Sequence, residues 1–406
     1  MGQAGLNHKR ASFPLSPAVP HAAPMTMAPE APRRPRVRRL ILRDFRSYAT
    51  LDVRFDAPLV TFVGENGAGK TNLLEALSLF SPGRGLRRAE LADCARVGGA
   101  GGFSVAIEVE EDGDVRALGA GAEPAPDGLA RVNRLDRAPV VSARAFAEHL
   151  RLVWLTPAMD PLLSGPAGER RKFLDRLVLA VDPGHGARVA QFERALRSRN
   201  RLLEEGSRNG AWLDAVEREV AELGVAVAAA RVDCVGRLAD AILAERDDDS
   251  PFPWAGLALQ GEVEALVANG PALEAEDSYR RALRDNRARD SAAGRTLIGP
   301  HIADLEVTHG PKNAPAARAS TGEQKALLVG LVLAHARLVA DMSGQAPIAL
   351  MDEIAAHFDP RRREALFAAL ARIGGQAFLT GADPAAFASL AGGTYEVAGG
   401  KVMPGA

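Results

Sequence analysis

Cysteine is almost missing from the chain. Only Cys94 and Cys234 occur, far apart and in no metal-ligand spacing, which argues against a disulfide scaffold or a zinc site and fits a reducing cytoplasm. An excess of either charge is missing too: 50 Lys and Arg stand against 51 Asp and Glu, a formal net charge of −1. Without a global basic field, any nucleic-acid binding must come from local patches. Aromatic residues make up 5% of the chain, leaving few platforms on which unpaired bases could stack. The longest apolar stretch of the C-terminal half, ALLVGLVLA at 326–334, is bounded by Lys325 and His335 and is too short to cross a bilayer. No membrane span and no membrane partner are expected.

What remains is an ordinary soluble composition, 47% hydrophobic and 25% charged. A chain of 406 residues exceeds one typical core, so two packed units are expected. Residues 1–36 are rich in Ala and Pro, lack periodicity and are expected to be a disordered extension. An organelle transit sequence is the other reading of that segment, though no amphipathic pattern supports it. Met25 or Met27 is an alternative start.

Residues 64–72 read GENGAGKTN, preceded by the apolar run Leu59–Val63 and followed by a helical pattern from Asn72 to Phe80. A strand, a glycine loop and a helix start in that order form a phosphate cradle: glycines let the backbone N–H groups turn inward and the helix N-terminus adds a favourable field. Gly64, Glu65, Asn66, Gly67, Ala68, Gly69, Lys70, Thr71 and Asn72 are the predicted ATP-binding residues. Lys70 reaches the β/γ oxygens, where it also serves catalysis, and Thr71 can ligate Mg²⁺. The loop alone does not separate a kinase, a GTPase, a transporter engine or a DNA-repair ATPase.

Three strands, VRRLILRDF, LDVRF and LVTFV, lead into the loop. SVAIEV and VRAL flank EDGD as a hairpin with an Asp-Gly turn, and RLVWLTP at 151–157 reads as a further strand. Residues 166–288 then carry charged helical periodicity, broken at Asp182-Pro183-Gly184 and at 206–210. Helices of roughly 15 to 35 residues span only about 50 Å at most, too little for a long coiled-coil arm. Strand patterns resume with DLEVTH, APIALMDE, QAFLTG and YEVAGGKV. The expected organisation is therefore α/β, a mixed sheet with helices in a P-loop ATPase head split between 37–165 and 289–406 around a helical insertion at 166–288.

A second constellation narrows the class. The apolar strand Pro347–Met351 ends in Asp352-Glu353, and clustered carboxylates at a strand end need an offsetting charge. Mg²⁺ on a triphosphate supplies it, held by Asp352 directly or through water, while Glu353 would orient and deprotonate the attacking water as the catalytic base. Upstream, ASTGEQKALLVGLVLAHARL starts a helix at Ser320-Thr321-Gly322 with Glu323 in its first turn.

A Ser-x-Gly-Glu-Gln helix start before an Asp-Glu strand resembles the signature motif of the ABC ATPase superfamily. The resemblance implies that Ser320, Thr321, Gly322, Glu323 and Gln324 face the triphosphate held by the Lys70 of a second subunit, which makes an ATP-dependent homodimer. His357-Phe358-Asp359 resembles the D-loop at the same interface, with Phe358 where Leu is commoner.

Within that superfamily the chain resembles the RecF family of bacterial DNA gap-repair proteins. The likeness runs through LRDFRSY, GENGAGKTN, GRGLRRA, ERRKFLD, ALRSRNRLL, GPHIADL, STGEQKA and LMDEIAAHFD in order, and the short insertion fits it better than the long coiled coils of Rad50 and SMC relatives. It implies work with RecO and RecR to place RecA on single strands in repair, replication and the SOS response. It also implies a nucleotide contact for Arg46 and Arg88. Departures are present: Ala319-Ser320-Thr321-Gly322-Glu323 replaces Leu-Ser-Gly-Gly-Gln, Ile302 stands where relatives often carry Arg, no Gln lies between the phosphate loop and Gln191, and Thr380 stands near the place of a transporter's switch histidine. Slow ATP hydrolysis is the expectation.

Arginines cluster at Arg33 to Arg39, Arg84 to Arg88, Arg194 to Arg201, Arg280 to Arg289 and Arg361 to Arg363. Together they predict binding to double-stranded or gapped DNA through the backbone, without sequence readout. Two other classes compete: the nucleotide-binding subunit of an ABC transporter, opposed by the missing glutamine and histidine, and a P-loop kinase of a small molecule, which needs no signature helix.

Overall fold

The computed structural model describes residues 32–205, 210–354, 358–390 and 393–405. The expected N-terminal extension therefore lies, up to residue 31, outside the described residues. Pro32–Ala406 forms one unit.

Alternating apolar residues build β1 (Arg36–Phe45) and β2 (Tyr48–Arg54), an antiparallel pair in which Leu40 faces Val53 and Leu42 faces Leu51. β3 (Leu59–Val63) is apolar throughout and leads through the glycine loop to α1 (Lys70–Ser78). After the short α2 (Leu91–Cys94) come β4 (Phe103–Glu111) and β5 (Asp114–Ala125). Their two-residue turn has φ 52° at Asp112 and 90° at Gly113, the backbone that an Asp-Gly hairpin needs. β6 (Gly128–Leu135) and β7 (Ala138–Val140) complete an antiparallel sheet of order β2-β1-β4-β5-β6-β7.

The chain continues through β8 (Leu152–Leu155) to α3 (Ala167–Val181), α4 (His185–Glu204) and the 35-residue α5 (Gly210–Ala244). Next come β9 (Ala255–Gln260), α6 (Glu262–Asn269), α7 (Ala272–Asp285), α8 (Arg287–Ala293), β10 (Asp304–His309) and β11 (Ala314–Pro315). The last elements are α9 (Thr321–Ser343), β12 (Ile348–Met351), α10 (Pro360–Ile373), β13 (Ala377–Gly381), β14 (Thr394–Ala398) and β15 (Lys401–Pro404). β12, β13, β3, β14 and β8 are parallel, in a second sheet of order β15-β14-β3-β13-β12-β8 with β15 antiparallel at its edge. Strands buried on both faces need continuous apolar runs, and IALM and AFLTG are fully buried.

Along β12 the side chains alternate between two cores. Ile348 and Leu350 join Leu73, Leu74 and Leu77 of α1 and the inner face of the antiparallel sheet, while Ala349 and Met351 pack with α3, α9 and α10. α1 thus lies between the two sheets, and α9 covers the opposite face. By length and composition α9 is the one helix among the described residues that could cross a membrane, but most of it is buried inside the fold.

The segment 166–288 departs from a purely helical insertion. β9 lies within it and pairs with β10, Leu259 opposite Leu305, in a third sheet of order β11-β10-β9. Six residues of weak alternation, AGLALQ, carry little signal alone; the pairing with β10 makes them a strand. α3 also belongs to the core around α9 rather than to the helical cluster of Phe192, Val220, Val225, Tyr279 and Leu283. Cys94 and Cys234 are both buried and unbonded.

Buried arginines tie the helices together. Arg199 of α4, fully buried, donates to Glu217 of α5 at 3.0 Å, to Asp290 of α8 and Thr296 at 2.7 Å, and to the Leu283 carbonyl at 2.6 Å. Arg231 of α5 reaches Asp175 of α3 at 2.9 Å, whose carboxylate also meets His185 of α4 at 2.8 Å. Removing one member of such a network strands the others in a dry interior. Arg199→Met should lower the unfolding free energy by about 3–5 kcal/mol, measured by urea denaturation; a loss near zero would show that Glu217 and Asp290 are solvated.

Candidate nucleotide site

β3, β13 and β12 are in register, with Thr61, Leu379 and Met351 level across the three strands. The glycine loop, Thr380 and Asp352 therefore emerge at one end of the sheet. Two glycines in the loop have no substitute. Gly64 has φ 153°, and a Cβ there would stand 2.3 Å from the Val397 carbonyl oxygen of β14. Gly69, at φ 109°, would bring a Cβ within 2.8 Å of the Tyr48 hydroxyl, which donates to the Gly69 carbonyl at 3.1 Å. No side chain caps α1, so its first turn is open to an anion. Glu65, Asn66 and Gly67 form the exposed tip of the loop and Ala68 is half-buried.

Lys70 is buried, and its ammonium donates to the carbonyls of Gly64 and Glu65 at 2.7 and 2.8 Å. The loop's own oxygens hold the cation in place. Next to it, the Thr71 hydroxyl donates to Asp352 Oδ1 at 2.9 Å, and the Thr380 hydroxyl donates to the same oxygen at 2.8 Å. Asp352 is 4% exposed. Burial pushes its carboxyl above the usual carboxylate range, while the two hydroxyl contacts pull the other way. A hydroxyl and a carboxylate meeting beside a phosphate loop are oxygen donors suited to a hard divalent cation that keeps water and phosphate as its other ligands. Among the described residues no group of three or more His, Cys, Asp or Glu forms a metal cage.

Thr380, expected near the place of a transporter's switch histidine, is fully buried. Besides Asp352, it receives the Glu353 N–H at 2.9 Å. Glu353 itself has φ 51°, a conformation uncommon outside glycine, Asn and Asp, of the kind that gathers at functional sites.

The predicted arginines divide. All three guanidinium nitrogens of Arg46 are taken: Nε and Nη2 by Glu75 at 2.8 and 2.6 Å, and Nη1 by the Asp93 carbonyl at 2.6 Å. It steadies α1 through the buried Glu75. Arg88 is exposed, with φ 56°. Its neighbour Arg87, expected only as part of the Arg84 to Arg88 cluster, borders the loop: Nη1 donates to Asn72 Oδ1 at 2.7 Å and Glu75 at 2.8 Å. In the run Arg87-Arg88 the two residues are chemically identical, and only the turn geometry assigns one to α1.

At the start of α9, Ser320 caps the helix and accepts from the Glu323 N–H, while Glu323 returns a contact to the Ser320 N–H at 3.0 Å. Lys312 donates to Glu323 at 2.6 Å and holds its carboxyl down to about 2. Ser320, Thr321 and Gly322 are exposed. Gln324 is not: its amide turns inward to the Ala319 carbonyl at 2.8 Å. The fourth helical position faces the core of this copy. Asp359 caps α10 by accepting from the Arg362 N–H at 3.0 Å, and His357 of the expected D-loop lies outside the described residues.

A phosphate loop after a central parallel strand, a buried aspartate at the end of a nearby strand and a capped helix against the same sheet define a P-loop ATPase head of the ABC/SMC type. A family model described as an AAA domain matches residues 39–111. The DNA replication and repair protein RecF of Mesorhizobium japonicum is 53% identical over 89% of this chain and 95% of its own length. That of Rhizobium etli is 50% identical over 92% and 100%. The solved recombination mediator protein RecF-ATPrS of the RecFOR pathway superposes with a TM-score of 0.82 at 19% identity, covering 93% of this chain and all of its own. A Pyrococcus furiosus Smc head with an extended coiled coil gives 0.50 at 16% identity, over 91% and 95%. The chain belongs to the RecF family of DNA replication and repair proteins.

Because burial raises the Asp352 pKa in the native state, the stability gained by its protonation is lost as pH rises through that value. At neutral pH the charged carboxylate is a cost to the fold. Asp352→Asn, which keeps the acceptor oxygen, should leave the melting temperature without ligand unchanged or higher at pH 7.5 and abolish the upward shift caused by Mg²⁺ and ATP. A melting curve that falls without ligand would overturn the assignment.

Proposed function

We propose that the chain is an ATP-switched DNA-binding protein in which ATP bridges two copies, the closed pair grips gapped or junction DNA, and slow hydrolysis releases it. The observation that carries this reading is the division of the machinery. Lys70, Thr71 and Asp352 converge at one end of the sheet, whereas the exposed turn Ser320–Gly322 is hydrogen-bonded only within itself and, through Glu323, to Lys312. A helix start so displayed is available to a triphosphate held by another copy.

In this reading Lys70 would exchange its loop carbonyls for phosphate oxygens, and Thr71 with Asp352 would hold Mg²⁺. The cation would supply charge neutralisation between the phosphates. Glu353, positioned through its N–H by Thr380, orients the attacking water and accepts its proton. Threonine in place of the first signature glycine, and a buried Thr380 where a transporter has histidine, support a timer rather than a motor. The names of the relatives, with the RecFOR pathway among them, support a role in DNA replication and repair; RecO and RecR as partners, the loading of RecA on single strands and a cytoplasmic location follow from the family resemblance.

Lys70→Met should abolish ATP-dependent dimerisation in mass-resolved light scattering; an unchanged dimer would remove the shared site. Glu353→Gln should keep ATP binding and lengthen the residence of dimer and DNA, and faster dissociation in ATP would count against the switch.

A further inference from the structure

Most of the arginines expected to gather phosphates are held by carboxylates. Arg39 pairs with Asp52 and Glu108, Arg287 with Asp214 and Glu217, and Arg199 is buried among acids. Other clusters also keep arginines without a carboxylate among the described residues, such as Arg36, Arg194, Arg289 and Arg363; the neighbourhood of Arg84 to Arg88 is set apart by bordering the phosphate loop. Arg84 and Arg87 pair with Glu90 and Glu75, but Arg88 has no carboxylate partner among the described residues. This segment is wedged between β6 and α3. Arg131 of β6 donates to the Gly83 carbonyl at 2.7 Å, and a Cβ on Gly83 would meet Leu179 of α3 at 3.8 Å.

One turn back along α3 stands Arg176. Its guanidinium lies 5.0 Å over the rings of both Trp154 and Phe173, with Met159 Sδ at 3.3 Å. None of these groups carries a negative charge. The Trp154 indole N–H is buried and lacks an acceptor among the described residues. Burial, with Arg88 adding repulsion, pushes the Arg176 guanidinium down to about 9, and burial lowers that of Arg131. Arg199 and Arg231 are answered by acids; Arg176 is offered rings and a thioether, and Arg131, like Arg151 and Arg171, a backbone carbonyl. Arg176 is a partly buried cation without an anion, flanked by the exposed Arg88 and Arg131; a ligand that supplies the anion would offset its cost, and the planar fork of arginine suits a phosphate.

We propose that Arg88, Arg131 and Arg176 form a phosphate-binding strip beside the nucleotide site, which takes the phosphodiester backbone of DNA. The identity of the phosphate rests on the DNA-binding reading above; the strip itself does not. Arg87, facing Asn72 at the rim of the phosphate loop, makes the strip contiguous with the nucleotide, so that one loop contacts both.

The test measures the duplex-DNA binding constant of the ATP-bound protein against salt for the wild type, Arg88→Gln, Arg176→Gln and the charge-keeping Arg88→Lys. Each glutamine should make the slope of log K against log salt shallower by about one unit, the signature of one lost phosphate contact, and Arg88→Lys should restore it. Arg88 is exposed, so its variants test the strip even if Arg176→Gln fails to fold. An unchanged slope with a several-fold higher KM for ATP would move the phosphate from DNA to the nucleotide. Unchanged slope and unchanged KM overturn the strip. If the wild type binds no DNA in any nucleotide state, the function proposal fails instead. Calorimetry with tripolyphosphate then judges the strip alone, which stands if Arg88→Gln weakens binding and falls if it does not.

Discussion

The nucleotide end of the molecule depends on the parallel register of β3, β13 and β12. Asp352, Thr380 and Phe62 sit one step beyond the level row Met351, Leu379 and Thr61. Side chains in a strand alternate faces, so a slip of one residue would send Asp352 to the opposite side of the sheet. Nothing near the aspartate is redundant. One of its oxygens receives two hydroxyls from two different elements, and one of those hydroxyls also fixes the backbone of Glu353. The continuous apolar runs of these strands are what hold this arrangement, since packing on both faces of the sheet leaves only one register with every core position filled.

Much of this was legible in the residues. Buried parallel strands announce themselves as unbroken apolar runs, and the three that matter most, LVTFV, IALM and AFLTG, were all readable, as were the glycine loop and the Ser320 cap. The missing parts share a physical cause. β9 has a weak pattern of its own and exists because β10 is there to pair with it. Arg46 belongs to a recognisable motif, but that its guanidinium spends itself on Glu75 and the Asp93 carbonyl depends on contacts 29 and 47 residues away in sequence. The pair Arg87-Arg88 is the sharpest case: one faces Asn72 and Glu75, the other stands with Arg176, and a left-handed backbone at Arg88 separates them.

The arginines also divide the molecule electrostatically. In the helical region they are structural, with Arg199 and Arg231 each joining several helices through buried carboxylates. Such networks favour a specific arrangement more than they add stability, because the desolvation of each charge offsets much of the attraction. An almost neutral protein can therefore be rich in arginine and still present little basic surface. What basic surface it does present is set by the acids that are absent, as around Arg176.

β3 is made early in the chain, yet its two neighbours in the sheet, β13 and β14, are made almost last. The Val397 carbonyl that crowds Gly64 comes from β14. During synthesis the phosphate loop leaves the ribosome more than three hundred residues before the strand that braces it. A nascent chain thus carries an unfinished loop for most of its translation, and contacts of such long sequence separation are slow to form. A fragment that stops short of the final strands would have every residue of the glycine motif and no support for its shape.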